Sequence, residues 1–209
     1  MSEVKRQTRR DRARQTRARI VAAAHTEFCA NGYQGTTMAA VAKRAQVAVQ
    51  TVYFVFHTKI ELLTEVHDTA VLGDPDGTPP ERTDWFLAAS ADPDPAKALH
   101  AFVTGTGHIL ARVAPLHPVI NAAAQTDPEV ATAQAHREQL RVQGYSSLIT
   151  ALHDRKALRP NLTVDTATDI LLTMVGPAVY TSLVTARGWT HEHYVSWTAD
   201  TLAQVLLRR

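Results

Sequence analysis

With 209 residues, 45% of them hydrophobic and evenly spread, the chain is long enough for a small domain and a larger one, each with its own core. A formal net charge of +2 conceals an asymmetry: residues 1 to 20 carry eight Arg or Lys against two acids, and the remaining 189 carry fourteen against eighteen. No apolar run approaches the roughly 20 residues of a membrane span, the basic N-terminus has no apolar stretch behind it as a secretory signal would, and a single cysteine excludes an intramolecular disulfide, so a cytoplasmic protein is expected.

Helix signals dominate from end to end and alternating strand patterns are nearly absent, which predicts an all-α fold. The first helix is predicted from about Asp11 to Ala30, with Ile20, Ala24 and Phe28 on one face and Asn31-Gly32 as its stop. Cys29, beside Phe28, reads as a buried structural thiol. The basic residues ahead of and within this helix suit an end that approaches a polyanion, with affinity that falls as salt rises. Residues 1 to 9 fit that role and a solvated, disordered arm equally well.

Residues 36 to 63, TTMAAVAKRAQVAVQTVYFVFHTKIELL, pack two short amphipathic helices around a tight turn. Thr37 can cap a helix whose inward positions are Val41, Ala42 and Ala45. Ala45, Gln46 and Val47 leave room only for a sharp turn, and Val52 and Phe56 on the next helix can share the same small core. That leaves Val49, Gln50, Thr51, Tyr53 and Phe54 on a face suited to a DNA major groove. Gln50 can pair with adenine N6 and N7, while Val49 and the Thr51 methyl can pack on a thymine methyl. Thr37, at a helix N-terminus, can attract a phosphate oxygen.

The segment from about Arg14 to Val66 resembles the N-terminal domain of the TetR family of transcriptional regulators. The resemblance is carried by Phe28-Cys29-Ala30-Asn31-Gly32-Tyr33, then Gly35-Thr36-Thr37, Val41-Ala42, and Thr51-Val52-Tyr53-Phe54-Val55-Phe56-His57-Thr58-Lys59. It implies that Thr37, Tyr53 and Lys59 contact phosphates and that Val49, Gln50, Thr51 and Phe54 form the base-reading surface. It also implies a three-helix DNA-binding domain over residues 1–58, a linking helix over about 58–72, and a ligand-binding and dimerisation domain over 73–209. Two positions depart from the family pattern. Gln46 stands where Gly is usual, at a cost on the order of 1 kcal/mol if its φ is positive. Ala48 stands where Ser or Thr usually opens the recognition helix, removing a cap.

Further along, a helix from Thr58 to about Leu72 buries Leu62, Leu63 and Val66, and GDPDGTPP over 73–80 cannot continue it. Helices are then predicted near Trp85 to Ala89, from Pro95 to Val113, in a broken piece after Pro115 and Pro118, and from about Pro128 to His153. Thr163 opens a helix with an apolar stripe of Ile170, Leu171, Met174, Val175, Ala178, Val179 and Leu183, closed by Gly188, within which Pro177 is a place to kink. Thr190 opens the last, with Val195, Ala199, Leu202 and Leu206 at helical spacing beside Tyr194 and Trp197. This pair could be monomer core, but a helix-turn-helix reads few base pairs alone and two-fold pairing suits a palindromic site. The resemblance implies a homodimer through these two helices.

The resemblance also implies a pocket for a small organic effector, and polar or aromatic residues scattered among apolar ones offer a lining: Trp85, Phe102, His108, His117, Asn121, Gln125, Tyr145, Met174 and Tyr180. The same residues also describe an ordinary helical core. The implied mechanism is repression of a double-stranded operator, relieved when effector binding tilts the helix at 58–72; an activator, or a regulator that has lost specific DNA binding, is the alternative. No catalytic, metal or cofactor signature is evident. His191 and His193 are two apart and point to different helix faces, His100 and His108 have no acid between them, and Gly105 and Gly107 follow no strand.

Overall fold

The structure, a computed structural model, describes residues 2–74 and 77–208, with side chains from Arg10 onward. Helix α1 (Ser2–Gly35) begins well before Asp11, and its helical geometry breaks at Gly32, with φ 67° and ψ 179°, a conformation only glycine adopts without strain. The side chains of the basic arm at 1 to 9 lie outside the described residues. Ile20, Ala24 and Phe28, four apart, are fully buried. Against them pack α2 (Met38–Ala45) and α4 (Lys59–Leu72), with α3 (Val49–Val55) crossing α2. Val41, Ala42, Ala45, Val52 and Phe56 close this core.

The turn between α2 and α3 is built as the sequence requires, at a cost. Gln46 sits at φ 54° and ψ 47°; its N–H donates to Lys43 O at 3.2 Å and the Val47 N–H to Ala42 O at 3.0 Å, the paired bonds that end a helix through a left-handed residue. Ala48 stands at the N-cap of α3 with no side-chain cap, so α3 starts at Val49. By contrast α2 and α4 are capped, Thr37 accepting from the Ala40 N–H and Thr58 from the Glu61 N–H, both at 3.1 Å.

A short 3₁₀ turn (Pro80–Arg82) leads to α5 (Asp84–Ala91), α6 (Pro95–Val113), α7 (His117–Ala124) and α8 (Pro128–Asp154). Then come α9 (Val164–Met174), α10 (Pro177–Tyr180) running on into a π-helical turn over Thr181–Ala186, and α11 (His191–Leu206). Asp94 and Asp127 cap α6 and α8, each followed by a proline at the first helical position, where its missing N–H costs nothing. Helix α6 is the central element, packing on α4, α5 and α11. Among the described residues no strand forms; an isolated bridge pairs Leu158 with Leu207.

Three expectations are corrected. Cys29 is exposed, its sulfur 4.0 Å from the His25 ring; it lies one residue beyond Phe28, on the next face of the helix. The single helix expected from Thr163 to Gly188 is two. Pro177 disfavours helical geometry at Gly176, which is extended at φ −114° and ψ 153°, so the chain breaks where a kink was expected. Val164–Ala186 is long and apolar enough, at mean hydropathy 1.4, to pass by composition for a membrane span, contrary to the sequence reading. The break at Gly176 interrupts it, and its carbonyls are met from the body: Leu172 O by Arg141 at 2.9 Å, Met174 O by the Tyr194 hydroxyl at 2.9 Å, and Val175 O by the Tyr145 hydroxyl at 2.8 Å.

Candidate nucleic-acid interface and body cleft

Helix α3 is too short to be stable alone, and Val52 and Phe56 fix which way it faces. With these inward, Gln50 is exposed, Val49 and Thr51 are half-buried, and two aromatic residues stand in solvent, Tyr53 at 51% exposure and Phe54 at 84%. Tyr53 is therefore not a core residue. Thr37 is exposed at the N-terminus of α2, its oxygen already serving as the cap.

Lys59 is placed differently from a free surface cation. Its ammonium donates to Tyr33 O at 2.8 Å and Thr36 O at 3.2 Å and lies 4.3 Å from the centre of the Tyr33 ring, so it fastens α4 to the end of α1. Two cations of the basic N-terminal stretch are likewise structural. Arg17 pairs with Glu65 at 2.8 Å and lies over the Phe56 ring, and Arg19 donates to the carbonyls of Ala45 and Gln46, bracing the strained turn. Buried Glu27 ties α1 to α2 through Arg44 at 2.6 Å. Sequence reasoning missed these partners because they are 17 to 48 residues apart.

The helix-turn-helix also touches the body directly. The Tyr33 hydroxyl donates to Asp127 Oδ2 at 3.2 Å, while Oδ1 of the same carboxylate caps α8. Burial, and then the charge of Asp127, push the Tyr33 pKa up to about 12.

The nine candidate effector residues do not share one pocket. Phe102 and Tyr145 are buried and meet edge to face at 5.1 Å; Trp85 joins this cluster at 6.3 Å from Phe102. The Tyr145 hydroxyl is spent on Val175 O, and Met174, half-buried, gives its carbonyl to Tyr194. His117 and Asn121 pair at 3.2 Å, with Gln134 donating to Asn121 Oδ1 at 2.7 Å, and Gln125 is exposed. Tyr180 meets His191 at 3.0 Å, and His108 stacks on that ring at 5.1 Å.

Of these residues, Trp85 and His108 line an open cleft of about 700 Å³ between the C-terminal end of α4, α5 and α6. Arg112, absent from the sequence list, also lines it, and its guanidinium donates to Ala70 O at 2.7 Å and Val71 O at 3.0 Å. The i, i+4 spacing of His100, Thr104, His108 and Arg112 was the available signal.

A capped first helix, a tight left-handed turn and a short second helix with an exposed polar and aromatic face define a helix-turn-helix protein of the DNA-binding class. Residues 20–66 match the model of the bacterial regulatory proteins of the tetR family. No curated protein matches the chain significantly in sequence. Among solved structures, NalD of Pseudomonas aeruginosa, the secondary repressor of the MexAB-OprM multidrug efflux pump, superposes with a TM-score of 0.71 at 20% identity, covering 95% of this chain and 98% of its own. A candidate TetR-family transcriptional regulator from Mesorhizobium loti gives 0.66 at 19%, covering 94% and 99%. A candidate fatty acid metabolism regulator from Clostridium perfringens gives 0.68 at 14%, covering 91% and 100%. The protein thus carries a TetR-family N-terminal domain on the all-α fold of TetR-family transcriptional regulators.

Proposed function

We propose that the protein is a cytoplasmic repressor that binds a palindromic double-stranded operator as a homodimer and is released by a small organic effector. Residues 1–58 serve as the DNA-binding domain, α4 as the link and residues 73–209 as the effector-binding and dimerisation domain. The observation that carries the reading is the outward face of α3. Gln50, Tyr53 and Phe54 stand exposed on a helix held rigidly by Val52 and Phe56, and an aromatic pair so exposed is costly unless something covers it. Thr37 supplies a phosphate contact beside its cap, and Val49 and Thr51 complete the base-reading surface.

Dimerisation is supported by apolar side chains that the monomer leaves partly open on its last helices: Ile170, Val179 and Leu183, with Trp197 and Val205 on α11. Two-fold pairing would set the recognition helices about 34 Å apart. NalD being a repressor favours repression as the output. Release requires an effector to favour the DNA-incompetent arrangement by about 1 to 3 kcal/mol.

The test is an anisotropy titration of the full chain with DNA from upstream of its own gene, in the presence of unlabelled nonspecific DNA. Binding that survives the competitor supports a sequence-specific regulator; binding abolished by it contradicts the reading.

A further inference from the structure

We infer that the cleft between α4 and α6 is a binding site for a small apolar anion, an organic carboxylate with a hydrocarbon or aromatic body, and that its anionic end draws Arg112 away from the end of α4. The site stands on its own geometry; its effect on DNA rests on the regulator reading above.

The cleft has two unlike sides. Leu72, Pro80, Trp85 and Ile109 make an apolar wall. The Trp85 indole is pressed onto the backbone of α6 at Gly105, where any Cβ would fall 2.1 Å from the ring, so the wall is flat and fixed in place by a glycine. The other side is a stripe of one helix: His100, Thr104, His108 and Arg112 follow one another at four-residue spacing. Three of these four are basic groups, and no Asp or Glu occurs among the described residues lining the cleft. An apolar wall facing cationic and imidazole donors is complementary to an amphiphilic anion; a neutral apolar molecule would cover Arg112 without pairing it.

Arg112 also joins the cleft to the reading head. Helix α4 ends at Gly73 in the left-handed conformation, whose N–H satisfies Thr69 O. The next two carbonyls, Ala70 and Val71, are both met by Arg112. Burial lowers the guanidinium pKa from its ordinary value. A carboxylate entering the cleft gives that guanidinium a charged, bidentate partner in place of two neutral ones. The last turn of α4 then loses two of its bonds, and α4 carries the head through buried Leu62, Leu63 and Val66. One cation thus serves both as the cap of the linking helix and as the ligand's anchor.

The experiment is calorimetry on the full chain with octanoate and with octanamide, which has the same body and no charge. Octanoate is expected to bind about tenfold or more tightly than octanamide, and Arg112→Gln, which retains a donor for α4, is expected to abolish that preference. Thr104→Trp, which fills the cleft and leaves Arg112 in place, should weaken both probes. Absence of octanoate binding, equal binding of the two probes, or a preference that persists in Arg112→Gln overturns the site. In parallel, octanoate is added to the protein–DNA complex. Release of DNA by wild type but not by Arg112→Gln supports the coupling, and octanoate bound through Arg112 without any change in DNA affinity overturns the coupling alone. Failure of the protein to bind DNA at all would sink the regulator reading while leaving the calorimetric result to decide the site.

Discussion

Aromatic side chains are treated in opposite ways by the two ends of the molecule. In the helices beyond α4, Phe102, Tyr145 and Tyr194 are buried, and both tyrosine hydroxyls are spent on carbonyls exposed by the break before Pro177. In α3, Tyr53 and Phe54 point into solvent, while Val52 is buried and Phe56, at the C-cap, closes the core behind it. Burying a Phe gains roughly 2 to 3 kcal/mol, so a seven-residue helix that leaves Phe54 outside forgoes that gain where a partner surface could recover it. Exposure at a rigid site marks a surface for recognition; burial with a satisfied hydroxyl marks structure.

The largest test of this contrast compares two phenylalanines at the end of α3. Phe56→Ala should cost about 3 to 5 kcal/mol of stability in a denaturant melt, whereas Phe54→Ala should change it by no more than about 0.5 kcal/mol. Comparable losses for the two would erase the distinction. Next in size, Tyr145→Phe leaves the buried Val175 carbonyl unpaired and should cost about 1 to 3 kcal/mol, while Tyr53→Phe should be nearly silent in stability.

Smaller and of opposite sign is Gln46→Gly, which relieves a side chain held at positive φ and should stabilise the protein by about 1 kcal/mol, read as a higher denaturation midpoint. The smallest effect is on pH dependence. Burial, then the charge of Arg141, hold the His117 pKa below its ordinary 6.5. Gln134 donates to the Asn121 oxygen, which leaves the Asn121 amide N–H to donate to the His117 ring and so favours neutral imidazole. Below pH 6.5 the unfolded chain therefore binds more protons than the folded one. This stability is present above that pH and is lost as pH falls through the lowered folded value. Thermal melts from about pH 8 to about pH 5 should show a shallower decline for His117→Gln than for wild type.

Local signals foretold much of this architecture. The capped starts at Thr37, Thr58, Thr163 and Thr190, the turn strain at Gln46, and the bounds of α6 at Pro95 and Val113 are set by short-range chemistry and were legible from a few residues each. What was not legible depends on partners distant in sequence. The partners of Arg17, Arg19 and Lys59 were not legible because nothing local discloses Glu65, the carbonyls of the Gln46 turn, or the end of α1. Tyr145 looked like a pocket residue because the carbonyl it serves is freed only when Pro177 breaks the helix 30 residues on. The effector candidates scattered for the same reason: helical spacing gives a face, not what lies across from it. Arg112 was missed although its stripe could have been read.

The outward face of α3 is the surface proposed to read DNA. The most direct measurement compares wild type with a Gln50→Ala, Phe54→Ala double variant by anisotropy on the DNA that wild type retains against competitor, at about 50 and about 200 mM salt. Both residues are exposed, so the variant should melt with wild type. The competitor-resistant binding should be lost with the salt dependence nearly unchanged, since the proposed phosphate contact at Thr37 is untouched. Wild-type affinity and selectivity in the double variant would contradict that role for α3.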